Sequence, residues 1–314
     1  MYEDVPVHVQ NFLLYMQTIQ NRSKNTIREY YYDLRHAFKF LKKYKEKIDS
    51  ELADINIVDI DLDFIKNITL DDLYQYLGFL SNEFSDKATT RARKVASLKS
   101  FFNYLCLKQK LLVSNPTVEL ETPKLGKRIP KYLTLDESVA LLHSIDGKFE
   151  KRDFAIITLF LNCGLRLSEL VNINMKDMKE NVLTVTGKGN KERTVYLNKA
   201  CQDAIREYIA VRPKDGLKDR EALFISNRGT RMGRRTVEMM VKKYLEQAGI
   251  DSKKYSPHKL RHTAATLMHK YGGVDIRSLQ QVLGHESIST TEIYTHIDDE
   301  QVKDALENNP LNHL

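Results

Sequence analysis

The chain has 314 residues, 49 lysines and arginines against 42 aspartates and glutamates, and a formal charge of +7. That length predicts roughly two domains, the hydrophobic content of 42% is enough to build a core in each, and the basic balance fits a nucleic-acid partner without demonstrating one. Cys106, Cys163 and Cys201 are scattered, with no zinc spacing and no disulfide framework, which excludes a disulfide-stapled fold and points to a reducing cytoplasm. The opening MYEDVPVHVQ has neither a basic stretch nor an apolar core, so no signal peptide is expected, and the most apolar run, 154–165, is too short to cross a bilayer.

Residues 1–120 read as helical. Val9, Phe12, Leu13 and Met16 form one apolar stripe. Ser23, Lys24, Asn25 and Thr26 then open a second helix with Ile27, Tyr30, Tyr31, Leu34, Phe38 and Leu41 at helical spacing. Residues 49–66 alternate isoleucine, valine and aspartate and read as a connecting insertion with no assigned structure. A third helix starts at Thr69 and runs through Leu80. A fourth covers 86–107, with Val95, Leu98, Phe101, Phe102 and Leu105 on one side and Arg91, Arg93, Lys94 and Lys99 on the other. Those cations either form a solvated face or lie along a DNA groove on phosphates. Residues 121–133 carry Lys124, Lys127, Arg128 and Lys131 among two prolines and a glycine, the composition of a basic linker.

The second domain, 134–314, opens with a capped helix at Thr134. A strongly apolar helix over 152–163 is broken by Gly164. Arg166 sits in the following elbow, CGLRLSELVNI, where it either pairs with Glu169 or awaits an anionic ligand. Residues 182–186 and 193–197 are two short strands joined by GKGNKE, which places Lys188 near the hairpin tip beside Lys191. Helices follow over 199–212 and 234–248, with a strand candidate at 223–225 between them. Arg234 and Arg235, at a helix start, are candidate phosphate contacts.

The densest chemistry lies in 256–296. Ser256 and Pro257 signal a helix start, and His258 and Arg261, three apart, share its face. Gly272-Gly273 ends that helix, Gly284 ends a second over 275–283, and His285 follows. Ser289 is placed to cap a third helix carrying Tyr294. In-line attack on a phosphodiester piles charge on its non-bridging oxygens, which arginine's planar fork is built to bind. A tyrosine hydroxyl can split that displacement in two through a covalent ester, keeping the bond energy so that strands rejoin without ATP. His258 and His262 also have metal-ligand spacing, but Lys259 and Arg261 between them disfavour a metal site, and neither an intervening glutamate nor a cysteine pair is present.

The ordered set Arg166 in GLRLSEL, Lys188 in GKGNKE, His258 and Arg261 in HKLRHTAAT, His285 in LGH and Tyr294 in TTEIYTH closely resembles the tyrosine recombinase, or phage integrase, family, and most of all its Xer-like members. The resemblance covers the whole chain. It implies a mainly α fold with a small β-hairpin or sheet: an all-helical, SAM-like core-binding domain over 1–120 and a mixed, mostly α catalytic domain over 134–314. It implies that Arg166 and Arg261 bind the scissile phosphate, that His258 assists as proton acceptor, and that His285 supports the transition state. Lys188 would protonate the leaving 5′-oxygen, Tyr294 would attack, and Glu169 would brace the site. Lys24, Arg91, Arg93, Lys94, Lys99, Lys127, Arg128, Lys191, Arg234 and Arg235 would contact DNA. The implied partners are a duplex recombination site and a tetramer on DNA, formed with itself or with a sister recombinase, and an accessory activator is possible in this family. No cofactor, metal or membrane is implied, the location is cytoplasmic, and the tail after Tyr294 would dock on a neighbouring protomer. The insertion at 49–66 departs from ordinary Xer proteins. Chromosome-dimer resolution, mobile-element integration and DNA inversion all stay open. Rival classes are a type IB topoisomerase-like enzyme, a catalytically silent DNA-binding module and a metal-dependent nuclease.

Overall fold

The computed structural model describes residues 2–82, 87–124, 131–187 and 191–284. The chain divides into two compact units, Met1–Lys127 and Arg128–Leu314.

In the first unit, α1 (Val7–Thr18) buries Val9, Phe12, Leu13 and Met16, one stripe at helical spacing. The Ser23 hydroxyl accepts the Thr26 N–H at 3.2 Å and so caps α2 (Lys24–Glu46). This helix is the centre of the unit: it buries Ile27, Leu34, Phe38 and Leu41 and packs against α1, α4 (Leu70–Asn82) and α5 (Ala88–Asn103). Phe101 of α5 meets Phe12 and Phe38 edge-on at 5.6 and 5.5 Å, the geometry aromatic quadrupoles favour. Beyond Asn103 the helix widens into one π turn, Tyr104–Lys108, where the Gln109 N–H reaches the Tyr104 carbonyl at 3.0 Å.

Residues 49–66 are more than a connection. A short 3-10 turn (Leu52–Asp54) and α3 (Leu62–Lys66) set Ile55, Ile57, Ile60 and Ile65 into the core. Lys42 of α2 pins the segment, donating to Asp59 at 2.6 Å and to the Asn56 carbonyl at 3.1 Å. The isoleucine spacing follows neither the helical nor the strand period, so the pattern hides this burial.

The basic side of α5 also departs from the sequence reading. Lys94 is buried, with its ammonium 3.6 Å from Asp33 of α2, and Arg93 reaches Asp33 at 2.5 Å and Glu29 at 3.2 Å. Lys94 therefore answers a buried carboxylate inside the unit and does not belong to an exposed phosphate-contacting face. Arg91 and Lys99 are half-buried, and Lys24 is exposed at the start of α2.

In the second unit, a reciprocal capping box between Thr134 and Glu137 starts α6 (Leu135–His143). The apolar α7 (Glu150–Cys163) forms the centre and packs on α9 (Lys199–Val211) and α11 (Pro257–Gly272). Between them come α8 (Leu167–Asn172) and an antiparallel sheet of order β1 (Met178–Lys179), β2 (Val182–Thr186), β3 (Glu192–Tyr196). The β2–β3 register sets Val185 opposite Arg193. The strand expected at 223–225 does not join this sheet: it makes only an isolated bridge, Ile225 to Arg231, while Leu223 and Phe224 are buried in the core. Its β-branched, apolar look reflects burial, not a ladder. The unit continues through α10 (Arg234–Gln247) to α11 and α12 (Ile276–Leu283). Ser256 precedes α11, but its backbone carbonyl, not its hydroxyl, engages the first turn, accepting from Lys259 at 2.8 Å. The three cysteines are free thiols, with the Cys163 and Cys201 sulfurs 3.7 Å apart in the core.

Candidate active site

The site begins where α7 stops. Gly164 takes a left-handed conformation (φ 57°), and a Cβ added there would lie 2.7 Å from Leu283 Cδ2. Both constraints demand glycine. The turn delivers Arg166 as the residue capping α8, where its own N–H donates to the Glu169 carboxylate at 2.8 Å. Its guanidinium donates from Nη1 to Glu169 at 2.7 Å and from Nη2 to the Gly284 carbonyl at 2.6 Å. With about a third of its side chain exposed (34%), Arg166 pairs with the acid and still faces outward. The pairing with Glu169 is present, and it does not close the side chain off from solvent.

Arg261 lies one turn into α11 and is almost fully buried. It donates to the Gly164 carbonyl at 2.7 Å and to the Leu283 carbonyl at 2.6 Å. A third arginine, Arg193 of β3, donates to the Val282 carbonyl and to Glu169 at 2.9 Å. Three guanidinium groups thus take three consecutive carbonyls at the end of α12, where a helix leaves acceptors unsatisfied and carries partial negative charge.

Glu169 is the hub of this arrangement. Its side chain is wholly buried, bonded to Arg166 and Arg193 and 3.8 Å from Arg261. Burial pushes its carboxyl up, but the hydrogen bonds and charge of Arg193, with the Arg166 N–H and guanidinium, hold it below the usual carboxylate range. The acid stays ionised and orients the cations without consuming every donor. A guanidinium has five N–H groups, and the fork of Arg166, bonded to Glu169 and the Gly284 carbonyl, keeps donors for a further anion.

His258, in the first turn of α11, has its pKa lowered by partial burial of its ring, and the charges of Arg261, Lys259 and Arg166 lower it further. It is therefore neutral at physiological pH and able to accept a proton. Its Nε2 lies 3.2 Å from that of His262, with the rings crossed edge to face. A cavity of about 450 Å3 opens among Arg166, Ser168, Arg234, Ser256, His258 and Arg261, with Glu238 also on its wall. A larger hollow of about 700 Å3 lies around Phe149 and Tyr208, but the buried Arg152 there is turned onto Asp153 and the Ile225 carbonyl. Convergent donors, not volume, single out the smaller one.

The structure thus brings together Arg166, Glu169, Arg234, His258 and Arg261. Arg235 is exposed beside Arg234 at the start of α10 but does not line the cavity. Lys191 is exposed at the base of the hairpin, where its carbonyl accepts the Gly187 N–H at 2.7 Å. Lys127, Arg128, Lys188, His285 and Tyr294, together with the helix expected to start at Ser289, lie outside the described residues. Among the described residues, no cluster of three or more His, Cys, Asp or Glu side chains is placed to hold a metal ion. Arg193 escapes a motif-based reading. Its signal is the strand alternation, which sets this charged residue on the same inward face as Val195.

The phage integrase family model matches residues 131–301. The chain is 58% identical over 308 residues to tyrosine recombinase XerC of Caldanaerobacter subterraneus subsp. tengcongensis, covering 98% of this chain and 87% of that one. It is 37% identical over 308 residues to tyrosine recombinase XerD of Proteus mirabilis, covering 96% and 92%. Among solved structures, the XerH site-specific recombinase bound to a palindromic difH substrate in a post-cleavage complex matches with a TM-score of 0.70 at 21% identity, over 98% of this chain and 96% of that one. That likeness shows the fold. The helical fold and the arginine-lined pocket, read with these matches, show that the chain belongs to the phage integrase family of tyrosine recombinases. Within it, both of these relatives, which match along nearly the full length of the chain, are Xer recombinases.

Proposed function

We propose that this enzyme is a site-specific DNA recombinase of the Xer type, which cuts and rejoins strands through a 3′-phosphotyrosine bond made by Tyr294. The observation that supports the assignment best is the convergence of Arg166, Arg261 and His258 on one cavity, with both arginines beside the buried Glu169. Arg166 and Arg261 bind the two non-bridging oxygens of the scissile phosphate and stabilise the charge that builds there. His258, held neutral, takes the proton of the Tyr294 hydroxyl as its oxygen bonds to phosphorus. His285 adds a hydrogen bond to the transition state. The 5′-oxygen leaves with a proton from Lys188. The 5′-hydroxyl of a partner strand then gives its proton to Lys188 as it attacks the ester, and the departing tyrosine oxygen recovers its proton from His258, so that bonds and protons balance without metal or nucleotide. Residues 1–120 clamp the duplex with Lys24, Arg91, Arg93 and Lys99. Lys127 and Arg128 of the 121–133 linker, with Lys191, Arg234 and Arg235 of the catalytic unit, contact its backbone. Four protomers hold two sites, and the tail after Tyr294 docks on the next subunit. Resolution of chromosome or plasmid dimers is the role we assign, and that chromosomal substrate places the reaction in the cytoplasm.

The test is strand exchange between two differently labelled duplexes carrying the site, without metal or ATP. Recombinant strands are expected. Cleavage and resealing that never swaps ends would instead make the enzyme topoisomerase-like. In the same assay, Arg166→Ala should slow strand cleavage by about 10²–10³-fold, the usual cost of removing one donor to developing charge. Duplex affinity should fall far less, as measured by gel shift beside the cleavage assay. Equal losses in both would count against the assigned role.

His258 also gives a pH prediction. Its proton-accepting form is populated above its pKa, so cleavage should rise with pH along a limb centred below 6.5. Lys259→Ala removes one of the charges that lower it and should move that limb upward. A limb unmoved by the substitution would remove His258 as the group being titrated.

A further inference from the structure

Arg193 has no place in the proposed chemistry, yet it is among the most tightly held side chains of the site. Only 15% of it is exposed. Its Nη2 donates to Glu169 Oε2 at 2.9 Å, and its Nε lies 3.4 Å from Oε1. Its Nη1 donates to the Val282 carbonyl. Its stem passes against Gly284, where an added Cβ would lie 2.7 Å from Arg193 Cδ and 3.1 Å from Nε. Gly284 also has φ 64°, so two independent demands fix glycine at this contact.

These contacts cross three elements. Arg193 belongs to β3, whose partner β2 ends at Thr186, two positions before Lys188 in sequence. Glu169 belongs to α8 and is the acid that aims Arg166. Val282 and Gly284 close α12, just before His285 in sequence, and the Gly284 carbonyl is the second acceptor of the Arg166 guanidinium. Each partner of Arg193 is thus also a partner of Arg166 or its next neighbour but one. A residue serving stability alone could pair with Glu169 from any direction. This one spans the carboxylate and the helix end that together fix the Arg166 fork.

We infer that Arg193 is a positioning residue for strand cleavage: it locks the β2–β3 hairpin and the end of α12 to Glu169, and so sets where Arg166 presents its remaining donors. The inference rests on the recombinase reading above. It does not make Arg193 a phosphate ligand, because its donors point to Glu169 and the α12 carbonyl.

The experiment compares the full chain with Arg193→Gln and Arg193→Lys on a nicked duplex carrying the recombination site, where cleavage traps a covalent adduct. Adduct rate at saturating duplex, duplex affinity and thermal unfolding are each measured. For Arg193→Gln we expect duplex affinity within about twofold and adduct rate lower by about 10²-fold, the cost of misplacing a catalytic group by about an ångström. Arg193→Lys keeps the charge but not the fork and should recover only part of the rate. If Arg193→Gln does not fold, the lysine variant carries the test by the same split between rate and affinity. Adduct rates within twofold of the parent in a folded variant would overturn the inference, as would a deficit that vanishes at higher duplex concentration. If the parent itself forms no adduct, the recombinase reading fails first, and the two failures are told apart.

Discussion

Tyr294→Phe should abolish the covalent protein–DNA adduct and all strand exchange while leaving duplex affinity unchanged within about twofold, because the substitution removes only the attacking oxygen. Among the groups assigned to the chemistry, the arginines are donors without a lone pair to share and His258 is assigned to hold the proton that Tyr294 gives up, which leaves Tyr294 as the nucleophile. The phenyl ring keeps the volume of tyrosine, so packing and DNA contacts persist. Gel shift measures the affinity, and a denaturing gel measures the adduct. Residual adduct in this variant would mean that another of the chain's 16 tyrosines, or another side chain, is the nucleophile.

The second large effect is on stability. Glu169→Ala leaves Arg166, Arg193 and Arg261 grouped around a vacated, buried position. Removing one member of a buried ion pair costs about 3–5 kcal/mol, because the partner charges remain desolvated and unpaired. The loss here should reach that range, read as the shift in urea unfolding followed by circular dichroism at neutral pH. The pH dependence has a definite sign. Glu169 has its folded-state pKa held down, so its contribution is present in full above the ordinary carboxylate value of 4.5 and disappears as pH falls through the lowered one. The gap between parent and variant should therefore narrow in acid. A gap below about 1 kcal/mol at neutral pH would mean that the three arginines find other partners, and Glu169 would lose its place as the hub.

Much of this could be read from the residues, for identifiable reasons. The helix ends announce themselves: Ser23, Thr134, Asp275 and the glycines at 164, 273 and 284 each cap or close a helix in the structure. The spacing of His258 and Arg261 on one helix and the elbow position of Arg166 are local facts, while the cavity they share is made by packing between distant elements. What the sequence hid is non-local. The pairing of Lys94 and Arg93 with Asp33 spans about sixty positions, and no amphipathic pattern marks which cation turns inward. The isoleucines of 49–66 are buried through an irregular path, so no period betrays them. Arg193 joins the site through a carbonyl 89 positions away, and backbone acceptors at a helix end leave no trace in side-chain patterns. The same physics explains the false strand at 223–225: burial favours β-branched and aromatic residues whether or not a ladder forms.

The proposed chemistry turns on a metal-free covalent intermediate on Tyr294. The measurement that tests it most directly incubates the protein, in EDTA, with nicked duplexes carrying the recombination site, then maps the trapped DNA by mass spectrometry of the digested adduct. The predicted result is a 3′-phosphate ester on the peptide containing Tyr294. Cleavage that appears only when a divalent metal is added, with no DNA linked to any peptide, would contradict it.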